Sequence, residues 1–131
     1  MNVFTYGSLM FAPVWSRLVR GRYRSAQARL DGYRRLAVRG KSYPGLVREV
    51  GACCRGTVYF GVSARDAARL DAFEGSAYLR RTVRCRLDGS GAPLRADTYV
   101  FVDRERLEAC DWDPQQFAAG DLAHFVASHW G

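Results

Sequence analysis

Lysine is nearly missing from this chain. Lys41 is the single lysine among 20 basic residues, which leaves 19 arginines. Metal-binding spacing is missing as well: Cys53, Cys54, Cys85 and Cys110 form no C-x-x-C pair, and His124 and His129 lie far along the chain. That pattern argues against a zinc site, and no metal is expected. The vicinal Cys53–Cys54 pair would strain a mutual disulfide, so the thiols are expected to be buried and reduced. No apolar run approaches the roughly 20 residues that a membrane-crossing helix needs, so no membrane partner is expected. Met1 to Met10 holds no basic segment followed by an apolar run and a small-residue cleavage site. No signal peptide is read there, and a cytoplasmic location is expected. Repeats, linkers and low-complexity tracts are absent too.

What is present fits one globular domain over residues 1–131. Hydrophobic residues at 48% and aromatics at 13% suffice for a core. With 25% charged residues the composition is that of neither a disordered nor a membrane chain. The net charge is +7. A guanidinium grips carboxylate or phosphate with two bonds, so the arginine excess suits an anionic ligand or a nucleic acid. A compositional bias toward arginine, spread over a solvated surface, is the simpler explanation. The arginines run dispersed from Arg17 to Arg106, without a stripe or a basic–aromatic RNA-binding motif. Nucleic acid is therefore the less favoured partner.

Along the chain, Asn2 to Tyr6 is a short β-type run ending at Gly7, and a helix is expected from about Phe11 to Val19. Ala26 to Leu30 and Arg35 to Arg39 alternate as strands, with Asp31-Gly32 read as the turn between them. Ser42 to Gly45 reads as a loop and Cys53 to Phe60 as another strand. Ser63 to Phe73 changes to helical period, with Ser63 as N-cap, Asp66 in the first turn and Gly75 as the stop. Tyr78 to Leu87 and Ala96 to Val102 are strands about the turn Asp88-Gly89-Ser90-Gly91, and a last helix runs from Pro114 to about Ser128. The expected fold is α+β: a small, curled or barrel-like, mainly antiparallel sheet flanked by helices.

Two segments carry chemistry. In Tyr6-Gly7-Ser8-Leu9 a strand stops at glycine and feeds a helix. Such a turn offers backbone N–H groups to a carboxylate or an oxyanion, and Gly7 allows close approach; ordinary turns look alike. In Leu70-Asp71-Ala72-Phe73-Glu74-Gly75, helical spacing places Ala67, Leu70 and Glu74 on one face. Glu74 then sits at a helix C-terminus on an apolar side. Desolvation and the negative end of the dipole both raise its pKa, which suits a general acid/base. The competing possibility is a glutamate that swings to solvent or pairs with Arg80 or Arg81. Asp71 is a weaker rival.

Supporting residues are fewer. Tyr43-Pro44-Gly45-Leu46 is a rigid loop able to wall a pocket. Tyr78 and Arg80, two apart in a strand, share a sheet face and are placed to orient Glu74 or a ligand carboxylate. His124 and His129 are read as structural. No Ser-His-Asp or Cys-His arrangement suggests itself.

In order and spacing, Val3 to Leu9, Tyr43 to Leu46, Leu70 to Gly75 and Tyr78 to Val83 resemble the γ-glutamylcyclotransferase family, which includes the AIG2-like proteins. The resemblance covers about residues 2 to 102. It implies a small β-barrel flanked by helices and a cofactor-independent enzyme. It also implies that Tyr6, Gly7, Ser8 and Leu9 hold the glutamyl group, that Glu74 is the acid/base, and that Tyr78 and Arg80 line the site. The implied reaction is an intramolecular aminolysis that releases 5-oxoproline and an amine from a small γ-glutamyl substrate. The alternatives are a non-catalytic carboxylate-binding protein of the same fold and, less favoured, a basic nucleic-acid-binding module. Neither the particular substrate nor the oligomeric state is specified by these residues.

Overall fold

The structure, a computed structural model, describes residues 1–130. Its strands are β1 (Val3–Thr5), β2 (Ser25–Val38), β3 (Pro44–Tyr59), β4 (Tyr78–Leu87), β5 (Pro93–Phe101) and β6 (Leu107–Asp111). Its helices are α1 (Ala12–Leu18), α2 (Ala64–Glu74), α3 (Pro114–Gln116) and α4 (Leu122–Trp130), with a π turn at Phe117–Asp121 joining the last two. The strands follow the order β3-β1-β5-β4-β2, and β2 pairs back to β3. This closes a five-stranded barrel, and β6 adds to β2 outside the ring. Among the described residues all pairings are antiparallel except β1 with β5.

Alternation along β1 divides the core into two layers. Phe4 and Tyr6 point into the barrel beside Leu30, Leu46, Val58 and Val83. Val3 points the other way, into a layer with Val14, Trp15, Leu70, Phe117 and Phe125, where the helices pack. Thr5 and Thr98 are buried, and each hydroxyl donates across the sheet to a backbone carbonyl, Thr57 at 2.8 Å and Phe4 at 2.9 Å. Those bonds offset the cost of burying a hydroxyl.

Four details differ from the sequence reading. Asp31-Gly32 is not a turn: β2 runs through it with a bulge, because β3 pairs on both sides. The expected loop at Ser42–Gly45 gives way to strand from Pro44 onward. β6 has no counterpart in that reading; its five residues lack clear alternation and take strand form only against Leu36 and Val38. Finally, all four cysteines are free, but only Cys54 and Cys85 are buried, while Cys53 and Cys110 are exposed. In β3, side chains alternate, so adjacent cysteines must face opposite sides.

Candidate active site

α2 begins as its sequence suggests. The Ser63 hydroxyl accepts from the Asp66 N–H at 3.1 Å, and Asp66 lies in the first turn. The helix ends at Glu74 because Gly75 takes φ 71°, a left-handed conformation that glycine adopts without penalty. Ala67 and Leu70 face the core at 2% and 0% exposure, so the face that carries Glu74 is the buried one. Glu74 thereby enters a cleft of about 150 Å³.

The same cleft is lined by Tyr6, Gly7, Ser8 and Leu9 from the end of β1, and by Tyr43, Pro44 and Tyr78. Arg80 is not among the lining residues. Its guanidinium pairs with Asp71 at 3.3 Å and Asp97 at 3.5 Å, beyond the rim. Although the chain is strongly basic, no arginine or lysine lines the cleft among the described residues. The ligand-facing groups are backbone, hydroxyl, aromatic and one carboxyl.

Neighbouring bonds hold these groups rigidly. The Tyr6 hydroxyl donates to the Tyr99 carbonyl at 2.5 Å, and the Tyr78 hydroxyl donates to the Pro44 carbonyl at 2.7 Å. An Arg35 N–H donates to the Tyr6 carbonyl at 2.9 Å, fixing the turn from below. The Trp112 indole donates to the Ser42 carbonyl at 2.6 Å and anchors the Tyr43–Pro44 loop. A Cβ on Gly7 would lie 2.8 Å from Pro44 Cγ, so glycine there lets the loop close on the turn.

Electrostatics single out Glu74. Burial first, then the charge of Asp71 one turn earlier, push its carboxyl up to about 8. The C-terminal end of α2 acts in the same direction. Tyr6, Tyr78 and Tyr99 are raised by the same burial and remain protonated hydroxyls. Asp71 is engaged elsewhere: it accepts from the Tyr99 hydroxyl at 2.6 Å and does not line the cleft.

Sequence reasoning missed Tyr99, Phe125 and His129, all of which line the cleft. Tyr99 lies mid-strand in β5 and reaches the site only through barrel closure. Phe125 and His129 are four apart on α4, so they share a face, a spacing visible in sequence but indistinguishable there from core packing. His129, read as structural, stands at the rim.

A five-stranded closed barrel flanked by helices, with a lone raised carboxyl beside a glycine turn, defines a γ-glutamylcyclotransferase-like fold. The family described as gamma-glutamyl cyclotransferase, AIG2-like, matches residues 3–114, and the chain belongs to that family. AIG2-like protein D of Arabidopsis thaliana is 30% identical over 129 residues, covering 98% of this chain and 80% of the relative. A solution structure of an Arabidopsis thaliana protein is 29% identical with TM-score 0.76, covering 97% and 78% of the two chains. A solved gamma-glutamyl cyclotransferase shares the fold at 15% identity, with TM-score 0.70 over 98% of this chain and 85% of that one.

Proposed function

We propose that this protein is a γ-glutamyl cyclotransferase that releases 5-oxoproline and an amine from a γ-glutamyl compound, with Glu74 moving the protons. One observation carries the reading: a single carboxyl, raised to about 8, stands in the cleft that the Tyr6–Leu9 turn lines. A group with that pKa exchanges protons readily near neutral pH.

In this mechanism the turn and the Tyr43–Pro44 loop fold the glutamyl chain so that its α-amine meets its own γ-carbonyl. Ionised Glu74 takes a proton from the α-ammonium. The freed amine attacks the γ-carbon, and in this reading the N–H groups at Gly7–Leu9 stabilise the negative charge that the carbonyl oxygen gains. Glu74 delivers its proton to the departing nitrogen as the old C–N bond breaks. It then takes the one surplus proton of the ring nitrogen, which keeps its other proton as the lactam N–H, and passes it to the released amine. The nucleophile is tethered, so ring closure needs no cofactor and benefits from high effective molarity. The family and the shared fold support this reading.

The test is to incubate the purified protein with γ-glutamyl amino acids, γ-glutamyl-ε-lysine and glutathione, and to follow 5-oxoproline. Glu74→Gln keeps the shape of the side chain and removes the proton carrier, so turnover should fall about 10²–10⁴-fold. Full activity in Glu74→Gln would overturn the mechanism. Binding without product in the wild-type protein would identify a non-catalytic binding protein instead.

A further inference from the structure

The cleft also has an aromatic wall. Beyond Glu74 it is closed by Phe73 from α2 and by Phe125 and His129 from α4. His129 stacks on Phe125 at 4.2 Å and lies 5.7 Å from Phe73, and Trp130 stacks with Phe73 at 5.9 Å. The rim of this cluster is open to solvent: Trp130 is 38% exposed, and His129 is exposed too. The Nδ1–H of His129 donates to the Phe125 carbonyl at 2.8 Å, which fixes the ring plane over Phe125. A π turn at Phe117–Asp121 immediately precedes α4, and such turns are frequent at functional sites. Phe73 lies within the family match, whereas Phe125 and His129 lie beyond residue 114, where that match ends.

Resting on the reaction assigned above, we propose that Phe73, Phe125 and His129 form the subsite for the amine side of the substrate, and that it selects γ-glutamyl amides carrying an aromatic group. With the glutamyl portion held at Gly7–Leu9 and Glu74, the leaving amine projects toward these rings. Aromatic groups pack against one another at centroid separations of about 4.5–7 Å, in offset or edge-on arrangements that this open cluster leaves available. A small alkyl amine reaches Glu74 equally well but leaves the rings uncovered. Selection therefore falls on the amine's side chain and not on its chemistry at nitrogen. Phe125 and His129 are specificity-determining residues and take no part in proton transfer.

The experiment compares γ-glutamyl-benzylamide with γ-glutamyl-methylamide by 5-oxoproline release, in wild-type protein and in the variants His129→Ala and Phe125→Leu. Wild-type kcat/KM should favour the benzylamide by about tenfold or more, the discrimination that a modest apolar pocket provides. His129→Ala should erase most of that preference by lowering the benzylamide kcat/KM toward that of the methylamide. Phe125 is buried, so its leucine variant keeps most of the volume and is read through the same substrate ratio. Equal kcat/KM for the two amides, or an equal loss for both in His129→Ala, overturns the subsite and leaves the reaction standing. Release of 5-oxoproline from neither amide, nor from any compound of the γ-glutamyl panel, overturns the reaction and the subsite with it.

Discussion

Glu74 is a destabilising residue by its own chemistry, and that is measurable. Its carboxyl ionises near 4.5 in the unfolded chain and near 8 in the fold. Between those values the folded state holds a proton that the unfolded state has released, so stability falls as pH rises through that window. Above about pH 8 the full cost is present. Glu74→Gln should therefore be more stable than wild type, with a Tm gap that is small near pH 5 and widens to pH 9. A gap that stays constant with pH would contradict the raised pKa. The second prediction concerns Asp71, whose charge is the next cause of the shift after burial. Proton uptake requires ionised Glu74, so kcat/KM should rise with pH toward a midpoint near 8. Asp71→Asn removes the like charge and should move that midpoint to lower pH. The Tyr99 hydroxyl can still donate to the amide oxygen of the substituted side chain, so the wall is retained. An unmoved midpoint would assign the shift to burial alone.

At the scale of one element, α2 does two jobs at its two ends. At its start, buried Asp66 accepts from the Arg20 and Gly21 N–H groups, each at 2.9 Å, and from Arg69 at 2.6 Å and the Tyr23 hydroxyl. Burial alone would raise this carboxyl, but those donors hold it well below the usual carboxylate range. The bonds tie the segment between α1 and β2 to the helix. Asp66→Ala should cost about 3 kcal/mol, because it removes a buried acceptor and strands several part-buried donors at once. The folded pKa lies below the unfolded value of about 3.9. The contribution is thus complete above about pH 4 and is lost as pH falls through the lower folded value. Urea titrations at pH 7 and pH 3 should show a smaller difference between wild type and Asp66→Ala at the lower pH. α2 was legible in the sequence from end to end, because its cap, apolar face and stop are all local signals. β6 was not: no periodicity marks Leu107–Asp111, and only the free edge of β2 makes it a strand.

At the scale of the molecule, barrel closure gathers charge that looks scattered along the chain. Arg29 on β2 lies directly across from Arg55 on β3 and from Arg86 on β4, and Arg84 lies across from Arg95. Directly opposed like charges destabilise a sheet. The exposed pairs Arg29–Asp31 and Arg55–Asp88 offset this only weakly. Together with the net charge of +7, this predicts a Tm that rises as salt is raised from about 0.05 to 0.5 M, through screening. Arg29→Thr should raise Tm by about 2 °C at low salt and flatten the salt dependence. A Tm unaffected by salt would show that the row carries no net repulsion.

The sequence by itself determined the local parts of this protein. The strand ending at Gly7 and the helix ending at Glu74 are each specified within a few residues by period, cap and turn chemistry. Their order was enough for the family and for the barrel-like sheet. Only the tertiary structure decided what those parts meet. Closure of β2 on β3 and of β5 on β1 brings Tyr99 to the cleft, sends Arg80 to Asp71 and Asp97, and aligns the arginine row. Packing of α4 over Phe73 adds Phe125 and His129, a wall drawn from the far end of the chain. Local signals depend on neighbours a few residues apart, whereas a wall of the cleft depends on register and packing between residues some fifty apart in sequence, such as Phe73 and Phe125.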